Sequence, residues 1–342
     1  LNSGQVVRRM QNPYGDVNIL DISPDGDLAA AGTEGGMVTL WDLATGELVG
    51  ELTHNPELQV LPVAFSADGR LLASGAEDGS AIIWDVAGRE ALREFQVLDG
   101  VLFDLDFSPD GQTLAVGGRG DGVYLFDVIT GEEQGVLRGL PDWLFDLDFN
   151  EDGSQLLSAS RDGAVLLWDV AAQQLLRTYI GKDGRTLGVK FSGADTAVSS
   201  TSNGSLRVWD LPDSRQRGQF GVGDFLASAA MSADGRLLAL GLNEAIRLVD
   251  ANSGAPAAEL TMPEGSNPVD KRGDVSALAF DPAGARLLAA NDGGELILWD
   301  VAAGEEIRRF AGHESRIHDL VFSPDGRSAL SAADDQQLIP VS

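Results

Sequence analysis

The 342-residue sequence contains no cysteine and only three histidines. Without cysteine, neither a disulfide framework nor a cysteine-ligated metal site can form. The spacing of His54, His313 and His318 fits neither a metal site nor a nucleophile–base pair. The segment 148–153 begins like a calcium-binding loop, but Ala159 stands where the twelfth-position Glu would be. We therefore expect no catalytic residues, no bound metal and no cofactor.

Positive charge is also scarce. The chain has 24 Lys and Arg residues against 53 Asp and Glu residues, which gives a formal net charge of −29. A field of this sign repels phosphate backbones and anionic lipid headgroups, because both are bound through positive charge. We therefore expect neither nucleic acid nor a membrane surface as a partner.

Long hydrophobic runs are missing as well. No stretch reaches the roughly 18 uncharged apolar residues that a membrane-spanning helix needs, and no signal-peptide pattern opens the chain. We expect a cytoplasmic location. Because the sequence starts at Leu1 without an initiator Met, we interpret it as one domain of a longer protein.

What the sequence does contain is an internal repeat, marked by an Asp that follows an aromatic or aliphatic residue. The pairs lie at Trp41-Asp42, Trp84-Asp85, Phe126-Asp127, Trp168-Asp169, Trp209-Asp210, Val249-Asp250 and Trp299-Asp300, with a degenerate eighth at Val341-Ser342. Their spacing of 40 to 50 residues is typical of a repeat architecture whose units bury their apolar faces against each other. Residues 1–10 align with the segment after Trp299-Asp300, so the start of the chain supplies the missing end of the last copy. This indicates a closed ring and a single domain over 1–342.

One copy, residues 60–95, shows the order of strands and turns within a repeat. Three short apolar runs and a fourth, more polar one are separated by turns, two of which contain Asp68-Gly69 and Asp78-Gly79. Asp-Gly between apolar runs is a strong hairpin signal, because Gly accepts the positive φ of a tight turn. No segment has helical periodicity over ten residues, so the pattern predicts an all-β fold with four strands per copy.

The recurring pattern SPDG…LASG…DG…WD resembles the WD-repeat family over essentially the whole chain. The resemblance implies an eight-bladed β-propeller of four-stranded antiparallel blades, closed when the N-terminal strand at 5–10 joins the last blade. A seven-bladed ring would require one copy to stay unpaired. The family also implies a Gly-His pair before the first strand, whose His joins a buried hydrogen-bonded chain with an Asp, a Ser and a Trp. This pair is clear only at Gly312-His313. His54 is a looser candidate, with Ser74, Asp78 and Trp84 available as its partners.

We interpret the Trp-Asp pairs as structural, since they recur in every copy, and look for function where the copies differ. Three variable positions in each copy are expected to reach one rim of the ring. Copies three to six place aromatic, aliphatic and Arg residues there: Val101, Phe103, Arg119, Trp143, Phe145, Arg161, Arg185, Leu187, Phe225 and Leu242. Copies one, two, seven and eight contribute mainly carboxylates. Aromatic and Arg residues anchor interfaces, so this half of the rim is predicted to bind a protein or peptide partner, with basic segments to match the nearby carboxylates.

Two other interpretations of these aromatic residues stay open. They can plug the central channel, or a neighbouring domain that is not part of the sequence can cover them. The segment 261–274, which lengthens one repeat, is expected to project over the same rim as a lid or a tolerated insertion.

The sequence therefore predicts a non-catalytic interaction scaffold or sensor module, a monomeric ring within a larger bacterial protein. One alternative is an enzyme similar to the quinone-dependent dehydrogenases, which also have eight blades. The docking Trp typical of that family is missing from the outer strands, because the only Trp outside the Trp-Asp pairs is Trp143. Another alternative is a purely structural assembly scaffold.

Overall fold

The computed structural model describes residues 9–140, 142–181, 184–213, 215–221, 228–243, 245–251, 253–262, 274–311 and 313–341. All regular secondary structure within these ranges is β-strand. No helix long and apolar enough to cross a membrane occurs among them.

The strands form four-stranded antiparallel sheets in chain order. Sheet 1 contains β2 (Val17–Ile22), β3 (Leu28–Thr33), β4 (Met37–Asp42) and β5 (Leu48–Thr53). Sheet 2 contains β6 (Val60–Phe65), β7 (Leu71–Ala76), β8 (Ser80–Asp85) and β9 (Glu90–Gln96). Sheet 3 contains β10 (Leu102–Phe107), β11 (Thr113–Gly118), β12 (Gly122–Asp127) and β13 (Glu133–Arg138). Sheet 4 contains β14 (Leu144–Phe149), β15 (Gln155–Ser160), β16 (Ala164–Asp169) and β17 (Gln174–Ile180).

The second half of the chain repeats this order. Sheet 5 contains β18 (Thr186–Phe191), β19 (Thr196–Thr201), β20 (Ser205–Asp210) and β21 (Arg215–Gly221). Sheet 6 contains β22 (Ser228–Met231), β23 (Leu237–Gly241), β24 (Ala245–Asp250) and β25 (Pro256–Thr261). Sheet 7 contains β26 (Val275–Phe280), β27 (Arg286–Asn291), β28 (Glu295–Asp300) and β29 (Glu305–Ala311). Sheet 8 contains β30 (Ile317–Phe322), β31 (Ala329–Ala333), β32 (Gln337–Val341) and, from the start of the chain, β1 (Met10–Gln11).

The start of the chain completes sheet 8, as the sequence predicts. Met10 pairs with Leu338 and Gln11 with Gln337 in an antiparallel ladder. The Arg9 guanidinium also donates to Gln337 Oε1 at 3.1 Å. The predicted strand 5–10 is thus seen from its last residue onward, and residues 5–8 lie outside the described ranges. The eight-bladed β-propeller is confirmed, and the seven-bladed alternative is excluded.

The chain folds as two compact units, each with its own packing between successive sheets. One unit comprises Leu1–Ala31, Leu40–Val49 and Gly221–Ser342, and the other comprises Gly32–Thr39 and Gly50–Phe220. In the second unit, Leu125 of sheet 3 packs in one cluster with Leu147 and Trp168 of sheet 4. Burying each such side chain contributes roughly 1.5–3 kcal/mol, so the sheets are held together mainly by apolar contact.

The turn between the first two strands of a sheet is closed by its own side chains. In sheet 3, the Ser108 hydroxyl donates to Asp110 Oδ1 at 2.6 Å and accepts the Thr113 N–H at 2.9 Å. Gly111 has a φ of +68°, which a residue with a Cβ adopts only at a cost. The same Ser, Asp and Gly arrangement recurs at 66–69, 232–235 and 323–326. These contacts explain why the sequence repeats SPDG.

In some of these turns the Gly also contacts the preceding sheet. A Cβ added to Gly153 would lie 3.3 Å from Cδ of Pro109, in the equivalent turn of sheet 3. The same arrangement places Gly326 against Pro282. The Pro and the Gly of successive turns therefore fit against each other.

The residues of the Trp-Asp pairs have separate structural roles. The indole N–H groups of Trp84, Trp168 and Trp209 each donate to a Ser hydroxyl ten residues earlier, at 2.8 to 2.9 Å. The Asp that follows stabilises the turn after the strand. Asp127, for example, accepts the Thr130 N–H at 2.7 Å. In sheet 7 the residue ten before Trp299 is Ala289, and the Trp299 indole N–H has no acceptor among the described residues.

In sheets 2 and 8 a histidine contacts the Ser of the second strand, and in sheet 2 this Ser also accepts from the Trp. His54 contacts the hydroxyls of Ser74 and Ser80 at 2.8 and 2.9 Å, and His313 contacts Asp335 and Ser331 at 3.0 and 2.8 Å. Burial lowers the pKa of His54 to about 4, so it is neutral near pH 7. The looser candidate, His54, is therefore a full member of its network.

We expect Gly153→Ala to destabilise the protein more than Gly111→Ala. Both residues have positive φ, which costs about 1 kcal/mol with a Cβ. Only Gly153 also meets Pro109, because nothing lies within 4 Å of a Cβ at Gly111. Urea unfolding of both variants measures the difference. Equal losses would contradict a packing role for the Pro–Gly contact.

We expect Ala289→Ser to stabilise the protein by about 1 kcal/mol, because the new hydroxyl gives the buried Trp299 N–H an acceptor. Ala290→Ser is the matched control, since Ala290 is equally buried but one residue further along β27. The control is expected to destabilise the protein. Differential scanning calorimetry of both variants tests this, and a destabilised Ala289→Ser variant would contradict it.

Candidate protein-binding surface

A β-bulge in the first strand of several sheets sets the direction of the predicted rim residues. In β10, Leu102 pairs with Gly118 and Asp104 with Gly117, so Phe103 has no residue opposite it. The same irregularity leaves Phe145 unpaired in β14 and Leu187 unpaired in β18. A bulge re-aims the extra side chain, and these three apolar residues are partly or fully exposed, whereas the residue before each of them in the strand is buried.

The aromatic residues of sheets 3 and 4 lie together. The ring of Phe103 is 5.4 Å from that of Phe145 and 6.3 Å from that of Trp143, measured between centroids. These separations are typical of attractive aromatic pairs. All three rings remain partly exposed.

Two arginines lie over the Trp143 ring. The guanidinium carbons of Arg119 and Arg161 are 4.0 and 4.3 Å from its centroid. Backbone hydrogen bonds hold both residues in place: the Arg119 N–H donates to the Val101 carbonyl at 2.9 Å, and the Arg161 N–H donates to the Trp143 carbonyl at 2.8 Å. We call this group the Trp143 surface: Val101, Phe103, Arg119, Trp143, Phe145 and Arg161.

The other predicted site residues are distributed differently. Arg185 and Leu187 lie at the start of sheet 5 and are exposed, with Leu187 at 43%. Leu242 belongs to the other compact unit and is only 3% exposed, so its side chain packs inside the protein. Phe225 lies outside the described residues, as does most of the segment 261–274 predicted to project over the rim.

The sequence reasoning missed a set of aspartates on the same first strands. Asp104 and Asp106 of β10 accept the N–H groups of Leu147 and Phe149 in β14, at 2.6 and 3.2 Å. Asp146 and Asp148 of β14 likewise accept N–H groups from β18, at 2.7 and 2.6 Å. These carboxylates join the edges of successive sheets. The available signal was the segment LFDLDF, which occurs identically at 102–107 and 144–149.

Burial makes the ionisation of Asp104, Asp106 and Asp146 unfavourable, because it raises the pKa of each. Burial raises the pKa of Asp106 to about 6, and burial together with the charge of Asp146 raises the pKa of Asp104. The positive charge of Lys190 offsets part of this cost at Asp104 and Asp106, and its ammonium donates to Asp148 Oδ1 at 2.7 Å. The Lys190 side chain is 59% exposed, so water weakens its compensation.

Comparison with known proteins gives the family. The sequence model of the WD domain, G-beta repeat, matches seven segments: 4–42, 46–85, 94–127, 131–169, 173–210, 267–300 and 304–339. The chain belongs to the WD40 repeat family. The family model leaves residues 211–266 unmatched, although the structure places sheet 6 there. Sheet 6 has Val249 where most copies have Trp, which explains the weak sequence signal.

WD40 relatives are similar at low identity. Apoptotic protease-activating factor 1 of Mus musculus is 26% identical over 163 residues, which is 43% of this chain and 12% of that protein. Serine-threonine kinase receptor-associated protein of Gallus gallus is 23% identical over 158 residues, 45% of this chain and 43% of that protein. The matches thus span less than half of these relatives. The crystal structure of the computationally designed Ika8 protein matches the fold with a TM-score of 0.83 at 19% identity, over 97% of both chains.

WD40 propellers act as protein-interaction scaffolds, and the predicted class of function is consistent with this. Within the described ranges, no group of three or more His, Cys, Asp or Glu side chains is arranged to hold a metal ion.

We expect Asp106→Asn to stabilise the protein at pH 8 by on the order of 1 kcal/mol, with little change at pH 4. The folded protein holds the Asp106 proton up to about pH 6, whereas an ordinary Asp releases it near 3.8. Ionisation therefore weakens folding as the pH rises through this window. The Asn oxygen can still accept the Phe149 N–H. Melting temperatures across the pH range measure the effect.

Asp110→Asn is the matched control of opposite sign. The hydrogen bonds from the Ser108 hydroxyl and the Gln112 N–H lower the pKa of Asp110. Its ionised form therefore stabilises the fold above pH 3.8, and this contribution is lost as the pH falls. The control is expected to be less stable than the wild type at pH 8. If both variants shift in the same direction, burial is not what sets the Asp106 effect.

Proposed function

We propose that this WD40 chain is a non-catalytic interaction module that binds a protein or peptide through the Trp143 surface. The observation that carries the proposal is the partly exposed Trp143 ring, with two guanidinium groups over it and Phe103 beside it. Trp and Arg are the residue types most enriched where binding energy concentrates in interfaces. Arg185 and Leu187 on the neighbouring sheet extend the surface.

The arrangement is suited to binding because strands and backbone hydrogen bonds hold it in place. The bulges fix the backbone at Phe103 and Phe145, and the N–H bonds to the carbonyls before β10 and β14 fix the backbone at Arg119 and Arg161. A surface that is ordered before binding loses less conformational entropy when a partner docks. The module would therefore act as a rigid platform.

The alternative that the aromatic residues plug the propeller predicts different energetics. A plugging side chain contributes to folding, so its removal leaves a cavity and costs 3–5 kcal/mol of stability for Trp. A recognition side chain contributes mainly to binding. The exposure of Arg119, Arg185 and Leu187 around the aromatic rings supports recognition.

We expect Trp143→Ala to lower the affinity for a bound peptide by about 2 kcal/mol or more, with a small change in melting temperature. The probes are peptides selected against the wild-type protein from a random display library, and calorimetry measures their affinity. Ile180→Ala is the control, because Ile180 of the same sheet is 69% exposed on the fourth strand, away from the surface. A large fall in melting temperature for Trp143→Ala, with unchanged affinity, would favour the plug.

A further inference from the structure

The guanidinium groups over Trp143 keep hydrogen-bond donors available. A guanidinium carries five N–H donors in its plane, and stacking on a ring occupies its face. In the described part of the chain, the Arg119 guanidinium forms no ion pair or hydrogen bond. Arg161 has Asp142 at 3.9 Å, beyond hydrogen-bond distance. Both groups can therefore donate to a ligand without breaking a strong contact.

The charge next to the aromatic rings is positive, although the chain as a whole is acidic. Arg119 and Arg161 lie over one ring, and the exposed Arg185 on sheet 5 has no ion pair among the described residues. Asp142 is the one acidic side chain within 4.0 Å of these three guanidiniums in the described ranges. In a protein with a net charge of −29, such a group attracts anionic segments to one place.

We infer that the partner is an acidic peptide segment, with an Asp or Glu carboxylate beside an aromatic or aliphatic residue. The carboxylate accepts from Arg119 and Arg161, and the apolar side chain packs on Phe103 and Phe145. Charge-assisted bonds from Arg to carboxylate are about twice as strong as neutral ones. This inference rests on the proposed function and adds the chemistry of the partner.

The sequence alone predicts the opposite charge for the partner. That prediction counts carboxylates at positions such as Glu77, Asp292 and Asp334, which lie on sheets 2, 7 and 8. The charged groups that contact Trp143 are both arginines. A basic segment docked on this surface would bring like charges together, which opposes binding.

Selection from a random peptide library against the full chain tests the charge of the partner. The library is first cleared on the Trp143→Ala variant, so that only peptides dependent on this surface remain. We expect the selected peptides to be enriched in Asp and Glu within two residues of an aromatic or aliphatic residue. Their affinity is expected to fall as the salt concentration rises, since exposed charges are screened.

Replacing Arg by Glu tests whether Arg119 and Arg161 bind the carboxylate of the peptide. Arg119→Glu and Arg161→Glu are each expected to weaken binding of the selected acidic peptides at least tenfold. Arg138→Glu makes the same change in net charge on β13, where Arg138 pairs with the exposed Asp121, and should change affinity less than twofold. Arg119→Gln and Arg161→Gln remove the charge without reversing it. If the melting temperature of a Glu variant falls, the corresponding Gln variant is used in its place.

The outcomes separate this inference from the proposed function. Enrichment of Lys and Arg in peptides that depend on Trp143 would overturn the acidic partner and leave the interaction module standing. A selection that yields no peptide dependent on Trp143 would overturn both. Acidic peptides that bind the Arg119 and Arg161 variants as tightly as the wild type would show that other residues recognise them, which also overturns the inference.

Discussion

The packing of several neighbouring sheets depends on satisfying the backbone N–H groups at the free edge of the first strand. Such an edge loses its hydrogen bonds to water when another sheet packs against it, and an unpaired buried N–H is costly. Asp104 and Asp106 solve this between sheets 3 and 4, and Asp319 does so for Leu20 between sheets 8 and 1, at 3.0 Å. The first strands can then lie close together, which brings Phe103 next to Phe145.

This solution has an electrostatic consequence. Asp104, Asp106 and Asp146, which join sheets 3, 4 and 5, lie where burial disfavours their charge, and burial raises the pKa of Asp319 as well, to about 6. Meanwhile the turn aspartates, such as Asp110, are stabilised as anions. The acidic composition of the chain therefore contains two populations of aspartate with opposite effects on stability, and only one of them favours a neutral pH.

Most of the architecture could be predicted from the sequence, because its determinants are local and repeated. The Asp-Gly turns and the Trp-Asp pairs fix four strands per copy, and the alignment of the first ten residues with 299–310 gives the closure at Met10. The candidate surface was harder. Its position could be predicted by comparing equivalent positions in each repeat. The stacking of Arg119 and Arg161 on Trp143, however, depends on distances between sheets that no single copy encodes. Leu242 shows the limit, since equivalent repeat positions do not guarantee equal exposure.

The β-bulges carry one more consequence. Because Phe103, Phe145 and Leu187 have no residue opposite them in their ladders, their identity is not constrained by strand register. Substitution at these sites alters what the propeller presents to the outside while the scaffold beneath keeps its pairing. Evolution or a protein engineer can thus change the side chains of the proposed binding surface without disturbing the strand pairing, and only the contacting pair Phe103 and Phe145 has to change in concert.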